Sequence, residues 1–529
     1  MISDLVDKGS LTEEGDFLVI GAGTVGLPFC TELATATGKR VICLESGGRS
    51  QDHETHPLNE VVHLALPYEG AQKGRFRCIG GTSTRWGGAL IPFQAADLFN
   101  AGWPIKIDEL LPYLPKVEHI FGLSEGGYTD EKFPIDLRPH YVNRLAKWPA
   151  FKHRNVVNVV GSRAEALQNL QVWLNATVTQ IRCTGEGVEV VASTAGGDQI
   201  KVCAARLVIA AGAIETTRLA LLLRQQNPEL SSAISPVLGC GFADHISIGV
   251  AEIRPVDAAA LNKVVGFRFE PGGSMRNIRF ELAMDTPLRQ TLPPSFVHIG
   301  FQVDKPGGFD ALRDVFRYLQ QRRLPPPKVL VHLLKGLPWL LRAVWWRFVH
   351  RRLLYPEGAR LVAHVVIEQT AASDHTITLS NSHVDPFGLP RAEINWSITA
   401  ADVEKLHRVT DAFEQTWNDA GFSRYGTWKR YPKDQIGKKL AHSGGIYHPT
   451  GSTQMGYDAR SGVVDADLRM FGAPQVQLLS TSVLPTGGGA NPTMMLLLLA
   501  MRCVDQHVNA NFPIHPASPA KVSSQVGSV

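Results

Sequence analysis

The stretch Asp16-Phe-Leu-Val-Ile-Gly-Ala-Gly-Thr-Val-Gly26 decides how the chain folds. Its residues 17–20 are an unbroken apolar run of the length that a buried parallel strand uses. Gly21, Gly23 and Gly26 then form a G-x-G-x-x-G pattern. In this pattern the first glycine permits a tight turn, the second lets a pyrophosphate approach the backbone, and the third lets the next helix pack closely on the strand. The stretch therefore predicts a nucleotide-binding βαβ unit.

A carboxylate at the expected distance supports this interpretation. Residues 24–37 can form the helix, whose N–H groups and dipole would point at the phosphates. The next strand, Val41-Ile-Cys-Leu-Glu45, ends about 20 residues after the last glycine. Glu45 stands where an acid binds the ribose hydroxyls and repels a 2′-phosphate. The pattern predicts an adenine dinucleotide without choosing between NAD and FAD.

The composition predicts a two-domain globular protein. At 529 residues the chain is too long for one core, and its 44% hydrophobic and 19% charged residues are ordinary. A net charge of +4 is too small and too dispersed for a nucleic-acid partner. Seven scattered cysteines and a beginning without an apolar leader indicate a cytoplasmic, reducing location. We expect no metal ion and no membrane-spanning run.

Two further glycine-containing segments are candidates for contact with the same ligand. Cys78-Ile-Gly-Gly-Thr-Ser-Thr-Arg-Trp-Gly-Gly88 combines glycines with hydroxyl side chains and a tryptophan, as expected where backbone passes close to a ligand. Residues 207–223 repeat the order of strand, small-residue turn and helix. A second nucleotide-contacting turn is typical of FAD enzymes, although a plain βα turn would show the same pattern.

From about residue 245 to 430 the sequence changes to segments in which apolar and polar residues alternate. Alternation predicts antiparallel strands at 247–253, 277–282, 296–303 and 360–368. A helix over 400–418 should begin at a Thr399 cap with Asp402 three residues on. We therefore predict a discontinuous nucleotide-binding domain made of residues 1–244 and 440–510. A substrate domain at 245–439 is inserted into it, and a disordered tail follows at 511–529.

One segment of the inserted region, residues 335–352, is basic and amphipathic. Its apolar residues recur at helical spacing between cations: Leu337, Leu340, Leu341, Val344, Trp345 and Phe348. Such a helix can lie on an anionic membrane surface or bury its apolar side in the protein or in a dimer. We expect burial, because most amphipathic helices are simply packed, and keep a peripheral membrane or dimer contact as the alternative.

The residues suited to chemistry lie near the end of the chain. Tyr447-His-Pro-Thr-Gly-Ser-Thr-Gln-Met-Gly456 places a histidine among glycines and hydroxyls. Asn491-Pro-Thr493 opens a helix expected over 492–508, whose N-terminus suits the negative charge that a flavin gains on reduction. His448 and Asn491 could converge there, although a single histidine is more often structural.

Together these motifs resemble the glucose–methanol–choline (GMC) family of flavoprotein oxidoreductases, from residue 16 to about 506. The resemblance implies an α/β (α+β overall) fold, with a Rossmann-like FAD-binding domain and an inserted substrate domain of antiparallel sheet plus helices. It implies that His448 is the catalytic base and Asn491 its partner. It also implies contacts of FAD with Gly21, Gly23, Thr24, Val25, Gly26, Glu45, Ser46, Gly81, Thr82, Ser83, Trp86, Gly87, Gly88, Val178, Ala211, Gly212, Ser480, Thr481, Asn491, Pro492 and Thr493.

Two departures from the family pattern bear on the cofactor. Some sugar-oxidising relatives carry a histidine, bonded covalently to FAD, where this chain has Arg85. We therefore predict non-covalent FAD. Many members have aspartate where this chain has Ser480, so that contact differs from the family's.

The resemblance implies oxidation of a CH–OH group on a sugar, glycoside, polyol or other alcohol. His448 would take the hydroxyl proton while the carbinol carbon passes hydride to flavin N5, and O₂, a quinone or another acceptor would reoxidise the flavin. Two alternatives stay open. One is a flavin monooxygenase or halogenase that shares the first glycine motif, and the other is a non-catalytic lipid binder on the same scaffold.

Overall fold

The computed structural model describes residues 1–51, 55–99, 101–185, 187–303, 307–320, 323–356, 358–370, 372–443 and 445–509. The tail at 511–529, expected to be disordered, lies outside the described residues.

The strands fall into three sheets. In chain order they are β1 Ile2–Asp4, β2 Ser10–Ile20, β3 Val41–Leu44, β4 Val62–His63, β5 Tyr141–Trp148, β6 Leu170–Leu174, β7 Thr177–Thr184, β8 Gly187–Ser193, β9 Gln199–Ile209, β10 His245–Pro255, β11 Arg268–Phe269, β12 Met275–Leu282, β13 Ser295–Gln302, β14 Arg360–Glu368, β15 Thr376–Val384, β16 Pro390–Asn395, β17 Gly426–Arg430, β18 Arg469–Met470 and β19 Ala473–Leu478.

The α-helices lie around these sheets. They are α1 Gly26–Thr37, α2 Gly70–Lys73, α3 Ala95–Leu98, α4 Leu114–Phe121, α5 Val157–Ala166, α6 Ala213–Gln226, α7 Ala258–Val265, α8 Gly308–Gln320, α9 Pro327–Lys335, α10 Leu337–Trp345, α11 Ala400–Asp419, α12 Lys433–Leu440 and α13 Thr493–Asn509. A π-helical turn, Trp346–His350, continues α10.

The first sheet is the predicted Rossmann-like unit. Its order is β1-β6-β3-β2-β9-β19-β18, with neighbours from β1 to β19 parallel and the β7–β8 hairpin joined to β9. A Cβ on Gly26 would lie 2.0 Å from the Gly21 carbonyl oxygen, so only glycine lets α1 begin this close to β2. Gly21 itself has φ 104°, which strains any other residue. The two glycines therefore set the turn that the sequence predicts.

The second sheet is antiparallel and has its own core. Its order is β11-β12-β13-β14-β10-β17, with β5 paired to β12. Helix α11 buries Leu406, Val409, Phe413 and Trp417 in this core. The Thr399 side chain accepts from the Asp402 N–H and the Asp402 carboxylate accepts from the Thr399 N–H, as the capping pattern predicts. The predicted α/β (α+β overall) fold, a Rossmann-like unit with an antiparallel sheet-plus-helices region, is confirmed.

Two segments pack with the region on the other side of a predicted domain boundary. In other respects the boundaries stay a prediction. β5 lies within 1–244 but completes the second sheet beside β12. β15 and β16 lie within 245–439 but form the third sheet with β4. Their apolar side packs on α6, so Ile377 and Ile394 belong to the first core. Pairing between segments this distant along the chain leaves no local signal.

The expectation that the apolar side of residues 335–352 is buried on its own chain is wrong. Leu341, Trp345 and Phe348 are 64%, 61% and 74% exposed. Helix α10 packs through its opposite side, where the Trp339 ring lies edge-on to Phe309, 5.8 Å between centroids. Both sides of α10 carry large apolar residues, so packing one of them leaves the other in solvent. Among the described residues no helix is both long and apolar enough to span a bilayer.

Candidate active site

A long cleft opens at the carboxyl ends of four neighbouring parallel strands, β3, β2, β9 and β19. Its empty volume is about 1410 Å³, including the part continuous with solvent. Ligands of open α/β sheets bind at this edge. Of the predicted cofactor-binding residues, the cleft is lined by Gly21, Gly23, Thr24, Val25, Glu45, Ser46, Gly81, Thr82, Trp86, Val178, Ala211, Gly212, Ser480, Thr481 and Thr493.

The middle of the cleft is a backbone cradle. A Cβ added to Gly23 would meet only the Gly81 Cα, at 4.0 Å, so this side of the turn is open. A Cβ on Gly81 would lie 2.9 Å from the Gly23 Cα, which shows how closely the glycine-rich loop packs on the first turn. The α1 N-terminus opens beside them at Thr24 and Val25. Open backbone next to a helix N-terminus suits a diphosphate.

Glu45 is buried beside this cradle. Its Oε2 accepts from the Ala22 N–H and its Oε1 from the Gly47 N–H, both at 2.9 Å. Burial raises the pKa of this carboxyl, against the effect of those two hydrogen bonds and of Arg77. Each carboxylate oxygen can accept a further bond, as two ribose hydroxyls would require.

A buried ion-pair network on the cleft wall was not predicted. The Glu215 carboxylate forms ion pairs with three guanidinium groups. The nitrogen–oxygen distances are 2.8 Å for Arg77, 3.6 Å for Arg75 and 2.9 Å for Arg218. Despite its burial, the three guanidinium groups lower the pKa of Glu215 to about 2. Arg77 also donates to the Ser46 hydroxyl at 2.9 Å. The network therefore fixes cationic side chains along the cleft.

Several residues that were predicted to contact the cofactor do not line the cleft. The Ser83 hydroxyl is buried, where it donates to the Gly80 carbonyl at 2.6 Å and accepts from the Val156 N–H. A Cβ on Gly87 would meet the Trp148 ring at 2.7 Å, and one on Gly88 would meet Pro149 at 3.2 Å. Gly26 packs against Gly21. These residues shape the loops behind the cleft, and they do not line it, nor do Asn491 and Pro492.

His448 and Asn491 are brought together beside the cleft, which is lined by the nearby residues Tyr447, Pro449 and Thr493. Asn491 Nδ2 lies 3.1 Å from His448 Nε2, and Arg279 Nη2 donates to Asn491 Oδ1 at 2.8 Å. On the other side of the ring, His448 Nδ1 lies 3.3 Å from His245 Nδ1, and His245 Nε2 lies 2.8 Å from the Gly488 carbonyl oxygen. The predicted pair is thus the centre of a chain of five groups.

The direction of every hydrogen bond in this chain is fixed by its ends. A guanidinium only donates and a carbonyl only accepts. Asn491 therefore turns its oxygen to Arg279 and its NH₂ to His448 Nε2, which must accept. His448 Nδ1 then carries the proton and donates to His245 Nδ1, while His245 Nε2–H donates to Gly488. His448 is thus a neutral imidazole whose unprotonated nitrogen is Nε2, where the lone pair accepts from the Asn491 NH₂.

The pKa values agree with neutral rings. Burial, then His245 and Arg279, hold the pKa of His448 well below its ordinary value. Burial, with a smaller effect of Arg279, lowers the pKa of His245 to about 4, although the bond to Gly488 acts in the opposite direction. Arg279, with a pKa lowered by burial to about 10, remains a cation at neutral pH.

Asp244 holds the loop that carries His448. Its carboxylate accepts from the backbone N–H groups of 446, 447 and 448, at 2.9, 3.0 and 2.8 Å, and from that of His245 at 2.7 Å. The Tyr68 hydroxyl donates to it as well, at 2.9 Å. Tyr447 has φ 68°, a strained value that these bonds maintain. Asp244, His245 and Arg279 were missed, and the adjacent Asp-His pair was the one local signal for them.

The residues present fit an extended dinucleotide such as FAD. In the order of the strands, Glu45 follows β3, Gly23 follows β2 and Ser480 follows β19, so these residues succeed one another across the cleft. Thr493, which also lines the cleft, is the first residue of α13. His448 stands between Tyr447 and Pro449, which both line the cleft.

Comparison with known proteins gives a consistent result. Residues 371–500 match the family model described as GMC oxidoreductase. The paromamine 6'-oxidase of Streptomyces fradiae is 23% identical over 532 residues, which cover 92% of this chain and 90% of that protein. The 6'''-hydroxyparomomycin C oxidase of Streptomyces lividus is 24% identical over 168 residues, 31% of this chain, and the match spans only 29% of that relative's length.

Two solved structures share the fold. The pyridoxine 4-oxidase from Mesorbium loti has a TM-score of 0.59 at 16% identity, and the match covers 94% of this chain and 100% of that one. A formate oxidase from Aspergillus oryzae, solved in a study of FAD modification, has a TM-score of 0.56 at 15% identity, covering 93% and 98%.

Proposed function

We propose that the chain, whose residues 371–500 match the GMC oxidoreductase model, is a member of that family and uses non-covalently bound FAD to oxidise a CH–OH group of a sugar-like alcohol to a carbonyl. The observation that carries this proposal is the polarised hydrogen-bond chain, which leaves a neutral base at His448 Nε2 beside the cofactor cleft. A lipid carrier on the same scaffold would have no use for such a base.

The cleft residues would hold the cofactor along its length. Glu45 would bind the ribose hydroxyls, the backbone around Gly23 and Gly81 the diphosphate, and the α13 N-terminus at Thr493 the flavin end. When bound, FAD supplies the hydride acceptor for the reaction.

The substrate hydroxyl would take the place that the Asn491 amide holds at His448 Nε2. In that position the hydroxyl donates to the Nε2 lone pair, and the Asn491 NH₂ donates to the hydroxyl oxygen. His448 Nε2 accepts the proton as the carbinol hydrogen leaves with its electron pair, so that the C–O bond becomes a carbonyl. A base positioned in this way is worth about 10²- to 10⁴-fold in rate.

His245 keeps the ring ready for this step. Because His448 Nδ1–H is committed to His245 Nδ1, the ring cannot present its protonated nitrogen to the substrate. Arg279 keeps the Asn491 oxygen turned away, so that the amide offers only donors to the reaction site. Its positive charge also favours return of the proton from His448 to solvent after turnover.

Polar side chains lie near Arg279 and would suit a hydroxyl-rich substrate on that side of the site. Arg279 lies on the Phe296 ring at 4.2 Å, and Phe296 and His298 share one face of β13. The His298 and His364 rings stack on that face at 5.1 Å. Two relatives are named as oxidases of paromamine and hydroxyparomomycin. We therefore favour a sugar, an aminosugar or a glycoside, with O₂ or a quinone as the electron acceptor.

An anaerobic rapid-mixing screen tests the proposal. The purified yellow protein is mixed with sugars, aminosugars, polyols and simple alcohols, and bleaching of the flavin is followed. We expect a sugar-type alcohol to bleach it and His448→Ala to keep FAD but lose about 10²- to 10⁴-fold in the reduction rate. His442→Ala, an exposed histidine nearby, is the control. Equal reduction rates in His448→Ala and wild type would exclude the role of His448, and a colourless protein would exclude the whole proposal.

A further inference from the structure

The connection between β13 and β14 is far longer than their geometry needs. The two strands are antiparallel neighbours in continuous register from Ser295–Ile367 to Gln302–Arg360. A hairpin of this kind closes with about 2–5 residues. Here residues 303–359 intervene, and they contain α8, α9, α10 and the π-helical turn. The connection is therefore an added helical layer on the second sheet.

This layer presents large apolar side chains to solvent. On α10 and the π-helical turn, residues at helical spacing share one exposed side: Leu337, Leu341, Val344, Trp345 and Phe348. On α9, Leu330, Val331 and Leu334 are also exposed. Soluble proteins rarely expose so many large apolar residues together without a binding partner.

The segment that carries these side chains has charges of one sign. Residues 323–352 contain seven basic residues (Lys or Arg) and no Asp or Glu. The layer is also firmly attached to the protein. Arg347 lies on the Phe269 ring at 4.4 Å, and Arg352 donates to the Lys263 carbonyl at 2.9 Å. These contacts join the segment to β11 and α7, while the apolar side chains face solvent.

We propose that residues 323–350, called here the basic helical surface, dock the enzyme on an anionic lipid bilayer. Anionic headgroups complement the cations, and Trp345 with Phe348 would enter the boundary between headgroups and acyl chains, about 5–10 Å deep. A second copy of the chain is a poor occupant, because two like-charged surfaces would face each other.

Vesicle flotation with the full-length FAD-loaded protein tests this. One set of vesicles is phosphatidylcholine alone, and the other contains about 30% phosphatidylglycerol. We expect flotation with the anionic vesicles, little with the zwitterionic ones, and loss of binding when salt is raised from about 0.1 M to 1 M. The triple variant Leu341→Ser, Trp345→Ser, Phe348→Ser should partition at least about tenfold more weakly.

Two controls make the result decisive. Phe99→Ser with Val256→Ser removes apolar residues of similar exposure, 76% and 65%, outside the basic helical surface, and should float like wild type. Light scattering gives the oligomeric state. The proposal is overturned if wild type ignores the anionic vesicles, if the triple variant floats as well as wild type, or if the surface instead holds a dimer that the triple variant dissociates. Flavin content and reduction rate are read separately, so failure of docking leaves the proposed reaction untouched.

Discussion

His448 and His245 face each other through their Nδ1 atoms, 3.3 Å apart, with the planes of the rings at 88°. Two acceptors cannot share such a contact, so one ring must carry a proton at Nδ1. The bond from His245 to Gly488 leaves that proton to His448. The tautomer of His448 is therefore decided by His245.

Changing His245 should consequently lower the chemical rate without abolishing substrate binding. For His245→Leu we expect the limiting rate of flavin reduction to fall about 10- to 100-fold with KM nearly unchanged, because His448 loses the acceptor for its Nδ1–H. His245→Gln offers an amide oxygen to His448 and an NH₂ to Gly488, and it should recover most of the rate. Anaerobic stopped-flow separates the two quantities. Equal losses in both variants would mean that His245 only fills space.

The acid limb of the pH profile should lie below that of a free imidazole. Since burial, His245 and Arg279 lower the pKa of His448, its base form persists as pH falls through 6.5, and kcat/KM should decline only at lower pH. Arg279→Met removes a nearby positive charge, so protonation becomes easier and the limb should move to higher pH. The profile of kcat/KM measures both. An unmoved limb in Arg279→Met, or a wild-type limb at or above 6.5, would contradict this account.

The flavin should leave the protein on denaturation. None of the described residues lining the cleft is a histidine or a cysteine. Arg85 does not line the cleft, and its guanidinium lies over the Phe76 ring at 5.0 Å and donates to the Gln51 carbonyl. Acid precipitation should therefore release all the yellow colour into the supernatant, and mass spectrometry should find the polypeptide unmodified. Colour retained in the pellet would identify a covalent link.

Loss of the Glu215 carboxylate should destabilise the first domain. Glu215→Gln removes the carboxylate that three guanidinium groups share. We expect the substitution to lower the free energy of unfolding by about 3–5 kcal/mol. The folded pKa of about 2 lies below the ordinary value of 4.5, so the contribution is complete above pH 4.5 and is lost as pH falls toward 2. Chemical denaturation measures both effects. Glu404→Gln, an exposed acid, is the control and should change little.

The features predictable from the sequence were local ones. The Gly21 to Glu45 unit and the Thr399 cap each depend on residues a few positions apart, and the structure contains them within one or two residues of the predicted bounds. The amphipathic segment at 335–352 was recognised for the same reason. Which of its sides would be covered depends on distant residues, and the expectation of burial failed there.

The parts that could not be predicted arise from convergence of distant segments. Asp244 meets residues 446–448 and Arg279 meets Asn491, each pair about 200 residues apart along the chain. No spacing rule connects such positions, and each residue alone has the appearance of an ordinary buried polar group. The β5 strand joined the second sheet for the same kind of reason, since its partner β12 lies more than a hundred residues away.

Asp244 also links the cofactor cleft to the loop that carries His448. Tyr68 lines the cleft and donates to this carboxylate, which in turn pins the loop of His448. We therefore expect that filling the cleft and ordering the His448 loop both act through the Asp244 carboxylate. By thermodynamic reciprocity, if a filled cleft favours the ordered loop by some factor, the ordered loop favours binding in the cleft by the same factor. An apoprotein that has lost its dinucleotide should thus expose this loop to proteases, and reconstitution should protect it again.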